Sequence, residues 1–202
     1  MPRNVSSAQY DNVAKTLHWL IAFAIIVMLI IGFTMTLLPK DNPYKFGLFQ
    51  WHKSIGLTIL LLSLFRLGWR LAHPAPLLPD HMPAWEKFAA RATHFMFYVL
   101  IIGMPLTGWI IVSTSPLNIP TMLYGVIHWP NLPVPTTPDH KKEISHVFTW
   151  AHIVSAYIMV ALLALHVAAA QKHHWIDRDD ILTRMAPGPI ARLLDRMRGA
   201  RR

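Results

Sequence analysis

The chain has 202 residues, of which 53% are hydrophobic and only 14% are charged, and its mean hydropathy is +0.35. A soluble domain of this length would carry about a quarter charged residues, so the composition excludes an ordinary soluble fold. The formal net charge is +9 and cysteine is absent, which excludes disulfides, thiol catalysis, iron–sulfur clusters and covalently attached c-type haem. With 12 histidines present, a metal or cofactor must be held mainly by imidazole.

Four apolar runs, each near the ~20 residues that a helix needs to cross a bilayer, divide the chain. They cover residues 19–38, 55–71, 95–112 and 153–170. We therefore predict an all-α fold, an integral membrane four-helix bundle that forms a single domain over residues 1–202. The expected helices are approximately 13–38, 51–71, 85–113 and 140–174, followed by a basic tail over 175–202.

Helix 1 carries His18 at its start and is too long, without a small-residue cleavage site, to be a cleavable signal peptide. Helix 2 begins near Trp51-His52, after a short loop rich in turn residues. A proline-rich segment over 73–83 separates it from helix 3, which contains His94 and Pro105. The segment 115–138 has six prolines and is expected to be either a cap over one end of the bundle or a linker.

The basic residues indicate the orientation of the bundle. The N-terminal tail, the loop after helix 2 and the C-terminal tail hold most of the 19 lysines and arginines. They are Arg3, Lys15, Arg66, Arg70, Lys87, Arg91, Lys172, Arg178, Arg184, Arg192, Arg196, Arg198, Arg201 and Arg202. By the positive-inside rule both termini are cytoplasmic, and the tail is expected to lie on the anionic inner leaflet. Because the charge follows membrane topology, it gives no support for nucleic-acid binding.

Four histidines fall into two pairs when they are sorted by depth. His152 and His166 are fourteen residues apart in helix 4, which is a rise of about 21 Å on nearly one helix face. With the orientation above, His52 shares the periplasmic level with His152, and His18 shares the cytoplasmic level with His166. Two trans-bundle imidazoles at each level match the axial ligands of two b-type haems. Intramembrane histidine is costly and tends to be functional.

Other histidines keep alternatives open. His94 lies at the cytoplasmic level and is an alternative iron ligand, a quinone-site residue or an inert interfacial group. Most of the remaining histidines are expected at the surface: His73, His81, His128, His140, His146, His173 and His174. Zinc is less favoured, because two imidazoles without a nearby carboxylate leave it underliganded.

Basic and small residues near the pairs complete the predicted sites. Lys53 on one side, and Arg66, Arg70 and Arg91 on the other, are candidate contacts for haem propionates. Gly56 and Ala156, each four residues after a paired histidine, are expected to let a porphyrin approach the helix.

The chain resembles the bacterial cytochrome b561 family over nearly its whole length. The matching segments are Lys15-Thr16-Leu17-His18-Trp19-Leu20, Trp51-His52-Lys53-Ser54-Ile55-Gly56, Arg66-Leu67-Gly68-Trp69-Arg70, His94 through Pro105 and Gly108, Trp150-Ala151-His152, Leu165-His166, His173-His174 and Asp180-Ile181-Leu182-Thr183-Arg184-Met185. The resemblance implies a dihaem membrane cytochrome with one haem between helices 1 and 4 and the other between helices 2 and 4. It also implies an oxidoreductase of the bacterial inner membrane.

The resemblance further implies a function of the superoxide oxidase type, which passes electrons from periplasmic superoxide, or another one-electron donor, to ubiquinone. Lys53, Lys141 and Lys142 are candidates for steering the anion. The alternative is a cytochrome b subunit that passes electrons between a partner dehydrogenase or hydrogenase and the quinone pool. A non-redox rival is a metal-ion transporter that uses the same histidines.

Overall fold

The computed structural model describes residues 9–117, 119–135 and 137–199. Its long helices are α1 (Asn12–Leu37), α2 (Lys45–Ala72), α3 (Ala84–Thr114) and α4 (Pro138–Lys172). All four are long and apolar enough to cross a membrane. Consecutive helices pack side by side, α1 on α2, α2 on α3 and α3 on α4. The predicted all-α membrane four-helix bundle is therefore confirmed.

The small core of the bundle lies at its middle. Ile59, Leu100, Ile101 and Met159 are buried together there, one or two from each of α2, α3 and α4. Most other large apolar side chains face outward, and Phe23 on α1 is 67% exposed. This distribution is expected where hydrocarbon rather than water surrounds the helices.

The start of α1 is fixed to the end of α2. The Asp11 carboxylate accepts a hydrogen bond from the Ala14 N–H at 2.8 Å and thereby caps α1. The Trp69 indole N–H donates to both oxygens of this carboxylate at 3.2 Å, and Arg66 donates to the Ala14 carbonyl at 2.8 Å. The Ala14 N–H is the main cause of the lowered pKa of Asp11.

Helix α2 begins six residues earlier than the predicted start near Trp51. The turn before it is closed by Asn42, whose side-chain oxygen accepts from the Tyr44 N–H at 3.0 Å. Lys45 then donates its ammonium to the Leu38 carbonyl at 2.7 Å, which satisfies the exposed end of α1. Pro43 is the last proline before α2, and proline disfavours the helix interior, so the helix can begin soon after it.

The segment between α3 and α4 contains a β-hairpin. Strand β1 (Thr121–Leu123) pairs antiparallel with β2 (Ile127–Trp129), and β1 packs on α2. Tyr124 and Gly125 have φ of 51° and 76°, and the Val126 N–H closes the turn on the Leu123 carbonyl at 2.9 Å. The hairpin therefore matches neither expectation for 115–138: it is not a plain linker, and it packs on the side of α2 rather than over the end of the bundle as a cap would.

The C-terminal segment folds back on the bundle. Helix α4 continues into a π-helical turn (His173–Asp177), and two short helices follow, α5 (Ile181–Met185) and α6 (Gly188–Gly199). The Trp19 indole N–H donates to the Met185 carbonyl at 2.9 Å, which holds α5 against the start of α1. The surface prediction was wrong for His174, which is fully buried, because this packing covers it.

Candidate functional site

Each of the four long helices carries two residues fourteen positions apart that lie at two levels of the bundle. The residues are His18 and Gly32 on α1, His52 and Arg66 on α2, His94 and Gly108 on α3, and His152 and His166 on α4. Fourteen residues make just under four turns and rise about 21 Å. Because neighbouring helices run in opposite directions, one level collects Gly32, His52, Gly108 and His152, and the other collects the remaining four.

At the first level, two imidazoles from α2 and α4 face each other. The ring centroids of His52 and His152 are 6.1 Å apart, and their planes make an angle of 63°. The two glycines make room for these rings. A Cβ on Gly32 would lie 3.3 Å from His52 Cε1, and one on Gly108 would lie 3.5 Å from His152 Cε1.

Hydrogen bonds orient the His152 ring. Its Nδ1 lies 2.9 Å from the Thr107 hydroxyl oxygen and 3.2 Å from the Met104 carbonyl. The Thr107 hydroxyl donates to the Met104 carbonyl at 2.7 Å, so its oxygen accepts the proton of Nδ1. This tautomer leaves Nε2 as the nitrogen able to bind a metal. The Nδ1 of His52 is buried and has no hydrogen-bond partner among the described residues.

At the second level, His166 has two imidazole neighbours. Its ring centroid is 6.3 Å from that of His18 on α1 and 5.6 Å from that of His94 on α3. The Nδ1 of His94 lies 2.7 Å from the Ala90 carbonyl oxygen, so it donates there and leaves its Nε2 free. The structure thus brings His18 and His94 to the same partner.

The spacing within each pair fits a metal ion between the rings. An imidazole nitrogen binds a metal at about 2 Å, so two opposed nitrogens are about 4 Å apart and the ring centres about 6 Å apart. The centroid distances of 6.1 Å and 6.3 Å agree with this geometry. An iron bound by one imidazole from each side is therefore compatible with both levels. The buried Nδ1 of His52, which has no hydrogen-bond partner among the described residues, is compatible with a site for a largely apolar group such as haem.

Three arginines from the sequence prediction surround one cavity beside the second level. Arg66, Arg70 and Arg91 line a space of about 890 Å³, and His94 forms part of its wall. Three guanidinium groups in a single cavity provide the positive charge that carboxylates such as haem propionates require. Arg66 already donates to the Ala14 carbonyl, so Arg70 and Arg91 keep more of their donors available.

The three lysines predicted to steer an anion lie near the His52 level, one on α2 and two at the start of α4. Lys53 donates its ammonium to the Pro120 carbonyl at 3.1 Å, which joins α2 to the chain that enters the hairpin. Lys142 lies 3.9 Å from the Asp139 carboxylate at the exposed start of α4, and Lys141 is next to it. Lys53 is therefore partly engaged by the protein, whereas the two α4 lysines are held only weakly.

Sequence reasoning missed Gly32 and Thr107. A Cβ on Gly56 would meet the end of the Met28 side chain, 3.3 Å away, so Gly56 allows α1 to pack closely on α2. The signal for Gly32 was available, because it follows His18 by the same fourteen residues that separate His152 from His166. Nothing in the sequence identified Thr107, which depends on the rotation of α3 against α4.

A separate cluster joins the start of α3 to the end of α4. Glu86, His173 and Asp177 have ligand atoms within 4.8 Å of one another. The Lys172 ammonium lies between the two carboxylates, 2.9 Å from Glu86 and 2.7 Å from Asp177. A cation from the chain itself thus already offsets part of their charge, and we interpret the cluster as an ion-pair network.

Comparisons with known proteins identify the family of the chain. The profile described as prokaryotic cytochrome b561 matches residues 9–188. The chain is 32% identical to cytochrome b561 homolog 2 of Escherichia coli K12 over 179 residues, which covers 88% of this chain and 90% of that protein. It is 30% identical to cytochrome b561 homolog 1 of the same organism, over 77% of this chain and 79% of the relative. It is 25% identical to the probable superoxide oxidase CybB of Yersinia pestis, over 89% and 96% of the two chains.

Proposed function

Because the chain belongs to the prokaryotic cytochrome b561 family and is a haem-binding, multi-pass membrane protein of electron transfer, we propose that it holds two b haems. His52 and His152 would hold the haem iron at one level, and His18 and His166 would hold it at the other. The observation that carries this proposal is the pair of centroid distances, 6.1 Å and 6.3 Å, at two levels of one bundle. Residues 1–202 then form one cytochrome domain.

The protein residues have separate tasks in this proposal. When bound, each haem supplies a one-electron carrier at its level of the membrane. Thr107 and the Met104 carbonyl orient the His152 ring, while Gly32 and Gly108 leave the space that the rings need. Arg70 and Arg91 neutralise carboxylates at the second level, and His94 is a quinone-site residue or the alternative partner of His166.

We infer that the substrates are superoxide and ubiquinone. Two superoxide ions each lose one electron and leave as oxygen, and one quinone takes up the two electrons with two protons to become quinol. The name of the Yersinia relative supports the donor. Lys141 and Lys142 provide positive charge at the exposed end near the His52 level, and such charge can raise association rates by about 10- to 1000-fold.

The proposal places the His52 level on the periplasmic side of the bacterial inner membrane and both termini in the cytoplasm. Most lysines and arginines then lie at the cytoplasmic ends of the helices.

Stopped-flow mixing of the purified chain with superoxide and a short-chain ubiquinone tests the substrates. We expect haem reduction by superoxide alone, followed by reoxidation when the quinone is present. The double variant Lys141→Glu/Lys142→Glu is expected to slow the first phase at low ionic strength and to match the parent at high salt, because screening removes steering. A parent chain that superoxide does not reduce would exclude this donor.

The second candidate function is that of a cytochrome b subunit that connects a partner dehydrogenase or hydrogenase to the quinone pool. It is favoured by the names of the two more similar relatives, which specify a cytochrome and no substrate. Purification in mild detergent distinguishes the two functions. A stoichiometric redox partner that reduces the haems, with no reduction by superoxide, would support the subunit.

A further inference from the structure

The β-hairpin between α3 and α4 lies along the side of the bundle rather than above its end. The Tyr124 N–H donates to the Ser54 hydroxyl oxygen at 3.0 Å, and the Tyr124 hydroxyl is 2.7 Å from the Thr58 hydroxyl. Thr58 donates its own proton to the Ser54 carbonyl, so the tyrosine is the donor in this contact. Thr58 lies six residues beyond His52, about 9 Å further along α2. The turn backbone thus lies beside Ser54, two residues beyond His52, and the Tyr124 side chain reaches further toward the membrane centre.

One stripe of α2 carries both the hairpin and a lipid-facing surface. Trp51, Ser54, Thr58, Leu61 and Phe65 are three or four residues apart and so share one face. The hairpin covers the upper part, where the Trp51 and Tyr124 rings are 5.6 Å apart. The stripe continues as Leu61 and Phe65, which are 52% and 56% exposed in the middle of a membrane-spanning helix. The outer surface of the hairpin is therefore continuous with a surface that contacts acyl chains.

The residues of the turn suit lipid better than water. Val126 and Ile127 are 79% and 60% exposed, next to the half-exposed Tyr124. Turns of this type in water favour Asn-Gly or Asp-Gly, followed by polar residues. An exposed apolar cluster of this kind marks a membrane or protein contact.

The helices bond to polar groups at both ends of the hairpin and at its turn, and such bonds are what irregular backbone needs at membrane depth. The Pro120 carbonyl accepts from Lys53 at 3.1 Å and from Gln50 at 3.4 Å. On the other side, the Trp109 indole N–H donates to the Pro130 carbonyl at 3.0 Å. Ser54, which is 1% exposed, serves the Tyr124 N–H as described above.

We propose that the hairpin is a membrane-inserted element whose turn, Tyr124 to Ile127, contacts the phospholipid acyl chains of the adjacent leaflet. Ser54 and Thr58 are then polar residues on a lipid-facing stripe because they receive the polar groups of the hairpin. The inserted turn anchors the connection between α3 and α4 beside the His52 level. This inference depends only on membrane insertion of the bundle and not on the electron donor or acceptor.

Thiol reactivity tests the proposal, because the parent chain has no cysteine. The single variants V126C, L61C and D139C are reconstituted into lipid nanodiscs of phosphatidylethanolamine and phosphatidylglycerol, one chain per disc. Nanodiscs expose both leaflets, so the result does not depend on topology. Leu61 is the lipid-facing control, and Asp139, with a 93% exposed side chain, is the aqueous control.

We expect V126C to react with a water-soluble maleimide at least about tenfold more slowly than D139C, as L61C does, because the reactive thiolate does not form in lipid. Addition of S54A to V126C is expected to raise its rate toward that of D139C. The variant I127C gives the same test if V126C fails to retain its Soret band. Reaction of both hairpin variants within about twofold of D139C would overturn the proposal. Slow labelling of V126C in proteoliposomes but not in single-chain discs would also overturn the proposal, because it would mean that a second copy of the chain covers the turn.

Discussion

At His152 and His94 the two ring nitrogens have different surroundings, and this difference determines which nitrogen can bind a metal. At His152, Thr107 and the Met104 carbonyl occupy Nδ1, which leaves Nε2 as the nitrogen able to bind. At His94, the Ala90 carbonyl occupies Nδ1 in the same way. Such outer hydrogen bonds fix the tautomer and raise the basicity of a ligating histidine. The polar partner is provided by α3 in the first case and by the histidine's own helix in the second.

Removal of one histidine from each pair should remove one haem and leave the other. We predict that His52→Ala and His18→Ala each lower the haem content from two per chain to one, because a b haem is held by its axial ligands and by packing. The measurement is the ratio of pyridine haemochrome to protein. His128→Ala on β2 is the control and should retain both haems. If His94→Ala rather than His18→Ala removed a haem, His94 would be the partner of His166.

The glycines at the first level are predicted to act through the space they leave. A Cβ on Gly32 lies 3.3 Å from His52 Cε1, so Gly32→Ala must shift the imidazole or α1 by a few tenths of an ångström. We expect the substitution to lower the stability of the haem-bound protein by about 1–3 kcal/mol, as for other overpacked sites. The readout is a shift of one of the two low-spin signals in electron paramagnetic resonance.

Gly103→Ala on α3 is the matched control for this substitution. It adds the same methyl group where nothing lies within 4 Å. Its spectrum should equal that of the parent, and an equal shift in both variants would contradict a specific role for Gly32.

At the scale of the elements, helix number and the histidine levels were predictable because hydropathy and the 3.6-residue period act locally. The four apolar runs and the fourteen-residue step can be identified from the sequence alone. The hairpin could not be predicted, since its three-residue strands depend on Ser54 and Thr58, almost 70 residues earlier in the chain. Burial of His174 likewise depends on the chain folding back after α4.

The ion-pair network at Lys172 joins α3 to α4, and its loss should weaken the bundle. Lys172→Met removes the cation between Glu86 and Asp177 and leaves two carboxylates side by side. Because the Glu86 side chain is mostly buried, we expect this loss to lower the unfolding temperature by more than the loss of an exposed surface pair does. Thermal loss of the Soret band in detergent measures it.

Lys142→Met provides the comparison for this network. The pair of Lys142 with Asp139 is 3.9 Å long and highly exposed, so its loss should change stability by less than about 0.5 kcal/mol. Equal destabilisation by both substitutions would show that general charge, rather than the network, is responsible.

At the scale of the whole molecule, the basic residues and the apolar stripe of α6 point to the same membrane surface. Ile190, Leu193 and Met197 are three or four residues apart and exposed, while Arg192, Arg196 and Arg198 share the helix. A helix of this kind lies in the interface, with its apolar side toward the acyl chains and its arginines at anionic headgroups. Helix α6 follows the end of α4 that is near the His18 level, so the tail and that level share one side.

Four spans place the two termini on the same side of the membrane, and the positive-inside rule predicts that this basic side is the cytoplasm. We predict that green fluorescent protein fused after Arg202 is fluorescent in bacterial cells, whereas alkaline phosphatase at the same position is inactive. The control truncates the chain after Pro135, before α4, where phosphatase should be active and the fluorescent protein dark. The opposite pattern would place the His52 level in the cytoplasm. In that case the α4 lysines could not attract a periplasmic anion, and the superoxide proposal would fail even if both haems were bound.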